Sequence, residues 1–433
     1  MNPISICWLR RDLRLEDNAA LYHALKSQYP VLILFIFDEN ILHKLANKTD
    51  VRVTFIHQQL AKINSDLQKK GSSLLIKYGT PEEIWPVILK EYNIKAVYAN
   101  HDYEPYARKR DDGLQEFLRS ESINFNTFKD QVIFEKNEVI KADGKPYTVF
   151  TPYYNIWLKK LTDFYTKSYP TEKYFTNLLQ TKKLPFPSLK EIGFEQSPQK
   201  IPSLNFESKL KNYDKERDYP AIDATTRIGV HLRFGTVSIR KVVREAQKQK
   251  ANKWLSELAW REFYMMILWH FPHSATNSFK PAYDNIIWRN NEKEFAAWCA
   301  GKTGYPIVDA GMRQLNETGF MHNRVRMVVA SFLCKHLLID WRWGEAYFAE
   351  KLLDYDQASN VGGWQWACGS GNDAAPYFRV FNPELQLKKF DPKMQYVLKW
   401  APEYSLPILP MPIVDHAFAR DRVLKVYKKA LVP

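Results

Sequence analysis

The sequence predicts a doubly wound parallel α/β sheet at the N-terminus, joined by a long connector to a C-terminal α-helical domain. Up to residue 130, short apolar runs alternate with helical patterns, which is typical of a parallel sheet covered by helices. Periodicity is lost in the next stretch, and from about Phe206 onward the pattern is almost wholly helical. A length of 433 residues also exceeds what one hydrophobic core usually supports. We therefore expect domains at 1–130 and 206–433, with the connector at 131–205.

Four strands and four helices are predicted in the first domain. The strands span 4–9, 31–37, 73–77 and 96–100, and the helices span 18–27, 51–68, 81–91 and 106–119. No GxGxxG motif follows the first strand, and the first glycine is Gly71. The sheet therefore lacks the fingerprint for a dinucleotide pyrophosphate, and a dinucleotide would have to bind elsewhere.

The connector is predicted from its prolines, which stand at 170, 185, 187, 198 and 202 among Lys, Ser and Thr. Beyond it, amphipathic helices are predicted at 238–249, 254–269, 311–317, 324–338 and 344–353. This helical domain carries most of the tryptophans, and the chain shows no internal repeat.

Composition favours a polyanionic partner and flat ligands. Lys and Arg number 62 against 48 Asp and Glu, a net charge of +14 that suits nucleic acid but equally suits a solubilising surface. The 13 Trp, 24 Tyr and 25 Phe suit flavins or extruded bases, although core packing explains most of them. The four cysteines form no CxxC pair, and no histidines stand near them at metal spacing, so we expect no metal site.

The beginning of the chain and its apolar runs bear on location. The first apolar stretch meets charges after eight residues, and no run of eighteen uncharged apolar residues follows. We expect a soluble, cytoplasmic protein without a signal peptide or membrane anchor.

The predicted helix 254–269 carries the first candidate site. Trp254, Glu257 and Arg261 recur at i, i+3 and i+7, so they share one face, which Trp260 flanks. Glu257 and Glu262 are five residues apart and point to different sides, which argues against a glycosidase pair. Taken alone, the stretch also fits core tryptophans with surface ion pairs.

Two further stretches concentrate polar groups beside tryptophans. Residues 321–327 (MHNRVRM) combine an amide with two guanidiniums, and residues 354–366 (DYDQASNVGGWQW) combine two carboxylates, an amide and two tryptophans. Polar groups are costly to bury in an apolar domain. Their concentration beside tryptophans therefore favours a pocket here. Residues 362–363 also fit an ordinary helix break, and the tryptophans fit core packing.

A possible anion site lies upstream, between residues 213 and 229. The hydroxyls of Thr225 and Thr226 stand where a helix is expected to begin, and Arg227 would add positive charge. A plain helix cap explains these residues equally well.

Taken together, these stretches resemble the photolyase/cryptochrome family. The similarity includes WLRRDLRLEDN at 8–18, TGYPIVDAGMRQL at 303–315 and GGWQWACGSGNDAAPYFRVFNP at 362–383, in the family's order. It is strongest to the class I members that repair cyclobutane pyrimidine dimers in DNA. The resemblance implies FAD in the helical domain, active in its reduced anionic form. It also implies light-driven transfer of one electron to the dimer, cleavage of its two ring bonds and return of the electron, without a protein nucleophile.

The resemblance also implies residue roles toward FAD. The phosphates would lie near Tyr213, Thr225, Thr226, Arg227, Ile228 and Gly229, and the rings near Trp254, Arg326, Asp354, Tyr355, Asp356 and Asn360. Asp356 would accept a hydrogen bond from the isoalloxazine edge, and Asn360 would face N5. A neutral amide there suits an anionic flavin better than a carboxylate would. Position 229 is usually serine in close relatives, so one hydroxyl contact is missing.

For the substrate, the resemblance implies a dimer flipped against Trp260 and Trp366. Glu257 and Asn323 would bond its bases, with Met327 packed alongside. The implied DNA contacts are Arg217, Arg261, Arg324 and Gln386, and the implied electron relay from the surface to the flavin is Trp288, Trp341 and Trp364.

A second, light-harvesting pigment would lie in the sheet domain near Arg10, Asp38 and residues 102–106 (DYEPY). Tyr106-Ala107 stands where folate-binding relatives carry Asn-Glu, so a folate is less expected than a deazaflavin, a flavin or no pigment.

Three alternatives remain. A cryptochrome photoreceptor often carries a long C-terminal tail, whereas this sequence stops at Pro433, soon after a helical segment. A (6-4) photolyase relies on a pair of site histidines, whereas Asn323 stands at a substrate-facing position here. A non-catalytic nucleic-acid-binding protein would not account for the polar groups beside the tryptophans. We expect a monomer that acts on DNA without an obligate protein partner.

Overall fold

The computed structural model describes residues 2–374 and 376–431, which form two compact units. The first unit comprises the chain up to Glu135, Lys160–Leu204 and Ile228–Lys248. The second comprises Lys136–Lys159, Asn205–Arg227 and the chain from Gln249 onward. The chain thus passes between the units several times, and the domain boundaries at 130 and 205 remain a prediction.

The first unit contains a five-stranded parallel sheet in the order β3-β2-β1-β4-β5, which confirms the predicted sheet class. The strands are β1 Pro3–Leu9, β2 Val31–Asp38, β3 Leu74–Gly79, β4 Asn93–Asn100 and β5 Asn124–Phe128. β1 and β2 are apolar except for Ser5 and the terminal Asp38, because both faces of a central parallel strand are buried. β5 was not predicted, because its sequence NFNTF is half polar and lies at the partly exposed sheet edge.

The helices of the first unit agree with the predicted pattern. They are α1 Ala19–Leu25, α2 Glu39–Leu42, α3 Val51–Gln68, α4 Pro81–Glu91, α5 Pro105–Ser120, α7 Asp163–Thr166, α9 Gly229–Arg233 and α10 Ile239–Lys248. Asn18, Asp50 and Thr80 cap α1, α3 and α4 by accepting backbone hydrogen bonds. The sequence pattern grouped α10 with the helical domain, but its Arg240 pairs with Asp17 at 2.8 Å and with Asp130 at 2.7 Å in the first unit.

The second unit is helical, as predicted. Its helices are α6 Phe150–Lys160, α8 Tyr213–Glu216, α11 Asn252–His270, α12 Glu292–Cys299, α13 Pro306–Thr318, α14 Asn323–Ser331, α15 Trp341–Lys351, α16 Gln357–Cys368, α17 Pro383–Phe390, α18 Gln395–Trp400 and α19 His416–Leu431. Short 3₁₀ turns in the chain are Thr171–Asn177, Lys190–Ile192, Glu207–Asn212, Pro272–Ala275, Pro281–Asn285 and Pro402–Ser405.

Three local predictions for these helices need correction. The expected helix 324–338 is α-helical only to Ser331 and continues as a π turn, Phe332–His336. The glycines at 362 and 363 lie inside α16 and do not break it. The predicted connector contains α6, whose Phe150, Tyr153 and Trp157 are buried at i, i+3 and i+7.

The core of the second unit is built around Trp298, Trp341 and Trp364, each at most 2% exposed.

Among the described residues, no helix combines the length and apolar character needed to cross a bilayer. Nor do those residues include a group of three or more His, Cys, Asp or Glu side chains arranged to hold a metal ion.

Candidate active site

A cavity of about 420 Å³ opens among α11, α14, α15 and α16 of the second unit, a size typical of ligand sites. Most of the side chains expected to face the flavin rings or the lesion meet here. They are Arg217, Glu257, Trp260, Arg261, Asn323, Arg326, Met327, Asp354, Asp356, Asn360, Trp364 and Trp366. Four separate stretches of sequence thus line one cavity.

α11 turns the face that includes Glu257, Trp260 and Tyr264 toward the cavity. Trp254, expected on this face, does not line the cavity: it is 3% exposed and stacks on Phe206, with ring centroids 5.4 Å apart. Glu262 is buried and accepts hydrogen bonds from Tyr153 and Trp157, which rules out the glycosidase pair.

Two of the charged residues expected to face the flavin are paired with each other. Arg326 Nη2 contacts both carboxylate oxygens of Asp354 at 3.0 and 3.1 Å, and its Nε donates to the Met321 carbonyl oxygen. Asp356 caps α16 by accepting the Ser359 N–H at 3.1 Å. The cavity wall therefore offers acceptors and a compensated guanidinium.

Asn360 is oriented by Glu345, a residue that was not predicted from the sequence. Its Nδ2 donates to Glu345 Oε1 at 2.9 Å and to the Glu345 carbonyl oxygen at 3.2 Å. Burial raises the pKa of Glu345, and the hydrogen bonds from Asn360 and Tyr355 oppose that rise. Tyr355 itself does not line the cavity; its hydroxyl donates to Glu345 at 3.3 Å.

Residues expected to face the lesion or the DNA are also held by ion pairs. Arg217 Nη1 donates to Glu257 Oε1 at 2.5 Å, and Lys253 lies 3.9 Å from the same carboxylate. Arg324 pairs with Asp218 at 2.8 Å, and its guanidinium lies 4.3 Å from the Phe390 ring centre. Arg324 does not line the cavity, although its neighbour Asn323 does.

Several other residues line the cavity but were not predicted as site residues from the sequence: Lys253, Tyr264, Ala330, Phe348, Leu352, Ser359 and Gly363. Burial raises the pKa of the Tyr264 hydroxyl. Its ring fits because position 362 is glycine: a Cβ there would lie 2.2 Å from the ring. A Cβ at Gly363 would meet nothing within 4 Å, so the cavity is open down to the α16 backbone.

The three tryptophans of the expected relay belong to one core. Trp341 and Trp364 are buried in it, and the partly buried Trp288 packs against it. Trp364 also has a direct neighbour that was not predicted, Trp298, whose ring centre lies 6.1 Å away. Trp288 stands edge-on to Tyr427 at 6.1 Å.

The residues expected near the flavin phosphates do not line this cavity. Tyr213 begins α8, with the Arg217 guanidinium 5.3 Å from its ring centre. Thr225 is half-buried, Thr226 is buried, and Arg227 pairs with Asp223 at 3.0 Å. Ile228 and Gly229 start α9, in the first unit, as the predicted helix start requires. Gln386 lies on α17 with its Oε1 buried and unbonded among the described residues.

The groups expected near a second pigment are bonded to their neighbours within the first unit. Arg10 pairs with Asp111 at 2.8 Å, Tyr106 donates to Asp38 at 2.6 Å, and Arg11 pairs with Asp102 at 3.0 Å. Burial and the bond to Asp38 raise the pKa of Tyr106.

Comparison with known proteins identifies the family. Residues 5–173 match the family described as DNA photolyase, and residues 254–407 match the FAD binding domain of DNA photolyase. A deoxyribodipyrimidine photo-lyase of Alkalihalophilus pseudofirmus is 37% identical over 99% of this chain and 98% of its own, and one of Halobacterium salinarum is 33% identical over 99% of both. The chain belongs to the photolyase/cryptochrome family.

Solved structures of this family share the whole fold. A class III photolyase from Agrobacterium tumefaciens has a TM-score of 0.85 at 33% identity, covering 99% of this chain and 98% of its own. A Sulfolobus tokodaii photolyase, described as holding two FAD molecules, scores 0.83 at 34% identity over 98% and 99%. A Synechocystis cryptochrome scores 0.85 at 27% identity over 98% and 99%.

The photolyase-type FAD domain of this chain suits the cofactor chemically. The Arg326–Asp354 pair, the Asp356 carboxylate and the amide of Asn360 supply the polar contacts that a flavin edge needs. Phe348, Leu352 and Trp364 supply apolar walls, and the open space beside Gly363 leaves room for a flat ring.

A pH-dependent stability is expected from His322, which caps α14 and is 3% exposed. Burial, with Arg326 and Arg324, lowers its pKa to about 4 despite Asp218. Because the folded pKa lies below the unfolded value of about 6.5, the neutral ring stabilises the fold above pH 6.5, and this contribution is lost as pH falls toward 4.

Replacing His322 with asparagine retains a capping side chain and removes the titration. Between pH 7.5 and 5, the unsubstituted protein should lose about 2 kcal/mol more unfolding free energy than the variant, from about 1.4 kcal/mol per pH unit below 6.5. Urea unfolding at both pH values measures this difference. Equal losses in the two proteins would contradict the assignment.

Trp364 packs directly against a glycine of α15. A Cβ at Gly344 would lie 2.1 Å from the Trp364 ring and 2.6 Å from Leu333. Gly344→Ala should therefore lower the unfolding free energy by about 1–3 kcal/mol through overpacking. Gly113→Ala, in α5 with nothing within 4 Å of a Cβ, is the matched control and should stabilise by about 0.5–1 kcal/mol. Thermal unfolding measures both changes; a neutral Gly344→Ala would show that Trp364 has room to move.

Proposed function

We propose that this protein splits cyclobutane pyrimidine dimers in DNA, using light and reduced FAD. The observation that carries the proposal is a single cavity whose lining includes Trp260, Glu257 and Asn323 together with Asp356 and Asn360. The first group suits damaged bases and the second suits a flavin. Their common cavity supports direct electron exchange between the two ligands.

The lesion side suits an extruded base pair. Trp260 and Trp366 provide flat apolar surfaces for bases, and a damaged pair costs less to unstack than an intact one, which favours lesions. Glu257 and Asn323 supply an acceptor and an amide for the edges of the bases. Arg217, Arg261, Arg324 and Gln386 are proposed to contact the DNA, the arginines its phosphates, which adds affinity without sequence preference.

The cofactor side suits a reduced flavin. When bound and photoexcited, reduced FAD supplies the electron that opens the dimer. Asn360 presents a neutral amide, held by Glu345, and Arg326 and Asp354 cancel each other's charge. We assign the phosphate contacts to Tyr213, Thr225, Thr226, Arg227, Ile228 and Gly229. Trp254 receives no ring contact, because it does not line the cavity.

Trp288, Trp341 and Trp364 are proposed to carry electrons inward to restore the reduced flavin. All three belong to or pack on one core, and Trp364 lines the cavity. The protein is proposed to act as a monomer inside the cell, where its DNA substrate lies. The two FAD molecules named for the Sulfolobus tokodaii relative support a flavin rather than a folate as any second pigment.

The test uses purified protein whose absorption spectrum shows bound flavin. After reduction, it is mixed with an oligonucleotide that contains one thymine cyclobutane dimer, in blue light and in darkness, and restored thymines are quantified by chromatography. Light-dependent restoration is expected. Bound, reduced flavin without any repair would contradict the proposal. A second oligonucleotide that contains a (6-4) photoproduct distinguishes (6-4) repair from a cryptochrome role. The cryptochrome role is the alternative suggested by the 27% identical Synechocystis structure.

A further inference from the structure

One side of Trp260 is covered by a residue from the segment expected to be a plain connector. The Phe150 ring stacks on Trp260 with centroids 3.7 Å apart and planes at 11°. Tyr154, one turn along α6, also stacks on Phe150, with ring centroids 5.4 Å apart and planes at 12°. Since Phe150 blocks one face of the indole, only the other face is available to a ligand, and the ring cannot rotate without breaking the stack.

Buried hydrogen bonds hold α6 against α11. Glu262, on α11 and 2% exposed, accepts the Tyr153 hydroxyl at 3.0 Å and the Trp157 Nε1–H at 2.6 Å. A buried carboxylate needs such donors, so this arrangement strongly favours one docked position of α6. The position of Phe150 behind Trp260 follows from that docking.

The same segment is tied to the loop that follows Trp366. The Phe150 N–H donates to Asp373 Oδ2 at 3.0 Å, and Asn372 Nδ2 donates to the Thr148 carbonyl oxygen at 3.0 Å. This loop is joined to α16 by the Gly371 N–H, which donates to the Gln365 carbonyl oxygen at 3.1 Å. Residues 148–150 therefore connect the structures that carry both tryptophans of the cavity.

We infer that residues 148–150 are a spacer that fixes the gap between Trp260 and Trp366, and so select for a linked pair of pyrimidines. This inference rests on the proposed function, since it takes the gap as the lesion's place. Phe150 acts as a positioning residue: it touches Trp260, not the substrate. Because Phe150 already holds the Trp260 ring in place, no entropy is lost in ordering that ring when the lesion binds. The contribution of Phe150 is therefore to the affinity for the lesion.

The test compares three variants of the full-length flavoprotein. Phe150→Leu removes the stack, Asp373→Ala removes the tie to the loop, and Tyr154→Leu removes a ring that stacks on Phe150 and Trp157. Dissociation constants are measured in darkness for oligonucleotides with and without one thymine dimer. Flavin content and repair per absorbed photon at saturating DNA are measured alongside.

Phe150→Leu and Asp373→Ala should weaken binding of damaged DNA about 10-fold, equivalent to about 1.4 kcal/mol, and leave undamaged DNA within about twofold. Repair at saturation and flavin content should be unchanged, and Tyr154→Leu should bind like the unsubstituted protein. An equal loss for both DNAs, an equal loss in Tyr154→Leu, or no loss in either test variant would overturn the spacer. If the unsubstituted protein itself shows no preference for damaged DNA, the proposed function fails and the spacer fails with it.

Discussion

Trp364→Phe is expected to abolish light-driven reduction of the oxidised flavin while leaving repair nearly intact once the flavin is chemically reduced. Of the three proposed relay residues, Trp364 lines the cavity, so its loss would separate the flavin from Trp341 and Trp288. In the proposed mechanism, repair uses the excited flavin and the residues assigned to the lesion, which the substitution leaves in place. Absorption spectra under blue light with an external reductant follow the first reaction, and thymine recovery follows the second.

A matched control for Trp364 stands beside it. Trp298 is fully buried, its ring centre lies 6.1 Å from that of Trp364, and it is not assigned to the relay. Both Trp→Phe variants should lose about 1–3 kcal/mol of stability from the smaller ring. Only Trp364→Phe should lose photoreduction. Equal loss of photoreduction in both, or equal loss of repair and photoreduction in Trp364→Phe, would refute the relay role.

Glu257→Ala is expected to weaken dimer binding by about 10- to 100-fold, because a hydrogen bond to a charged group is worth about 1.5–3 kcal/mol. Glu257 lines the cavity, and Arg217 and Lys253 hold its carboxylate beside Trp260. The variant should bind flavin normally, since the carboxylate is assigned to the lesion. Dissociation constants for dimer-containing DNA and the flavin-to-protein absorbance ratio measure the two effects.

Glu294→Ala is the control for Glu257. Glu294 also pairs with an arginine, Arg289, at 2.8 Å, but lies outside the cavity. It should leave both dimer binding and flavin content unchanged. Loss of flavin from Glu257→Ala would show that this carboxylate belongs to the cofactor side and would move the lesion elsewhere in the cavity.

The sheet was predictable because central parallel strands record burial on both faces as continuous apolar runs, as at 31–37. β5 was not, since an edge strand with one exposed side needs no such run. α6 was missed because no periodicity was recognised after residue 130 and the prolines from 170 onward favoured a connector. Pro152 lies in the first turn of α6, where proline is tolerated. Its buried spacing at 150, 153 and 157 was the available signal.

The site was predictable where one motif carries several polar groups, as from Asp354 to Trp366. Partners from distant segments were not. Glu345 orients Asn360 from another helix, and Phe150 reaches Trp260 across more than a hundred residues. Such pairings depend on how helices dock, and local composition does not record docking. Most of the residues that the resemblance assigns to the lesion or to the flavin rings line one cavity. Their roles remain proposals.

The interleaving of the two units constrains the order in which the protein can fold during synthesis. In the first unit, the buried Asp130 pairs with Arg240, which is synthesised 110 residues later. In the second unit, Tyr153 donates to Glu262, which is synthesised 109 residues later. Neither unit can therefore complete its buried polar pairs when its first segment leaves the ribosome. Domain-by-domain folding from the N-terminus, the usual route for long chains, can therefore begin only once Lys248, the last residue of the first unit, has left the ribosome. The first unit should become protease-resistant only after residues 228–248 are available, and the second only after core residues as far as Tyr427 have been made.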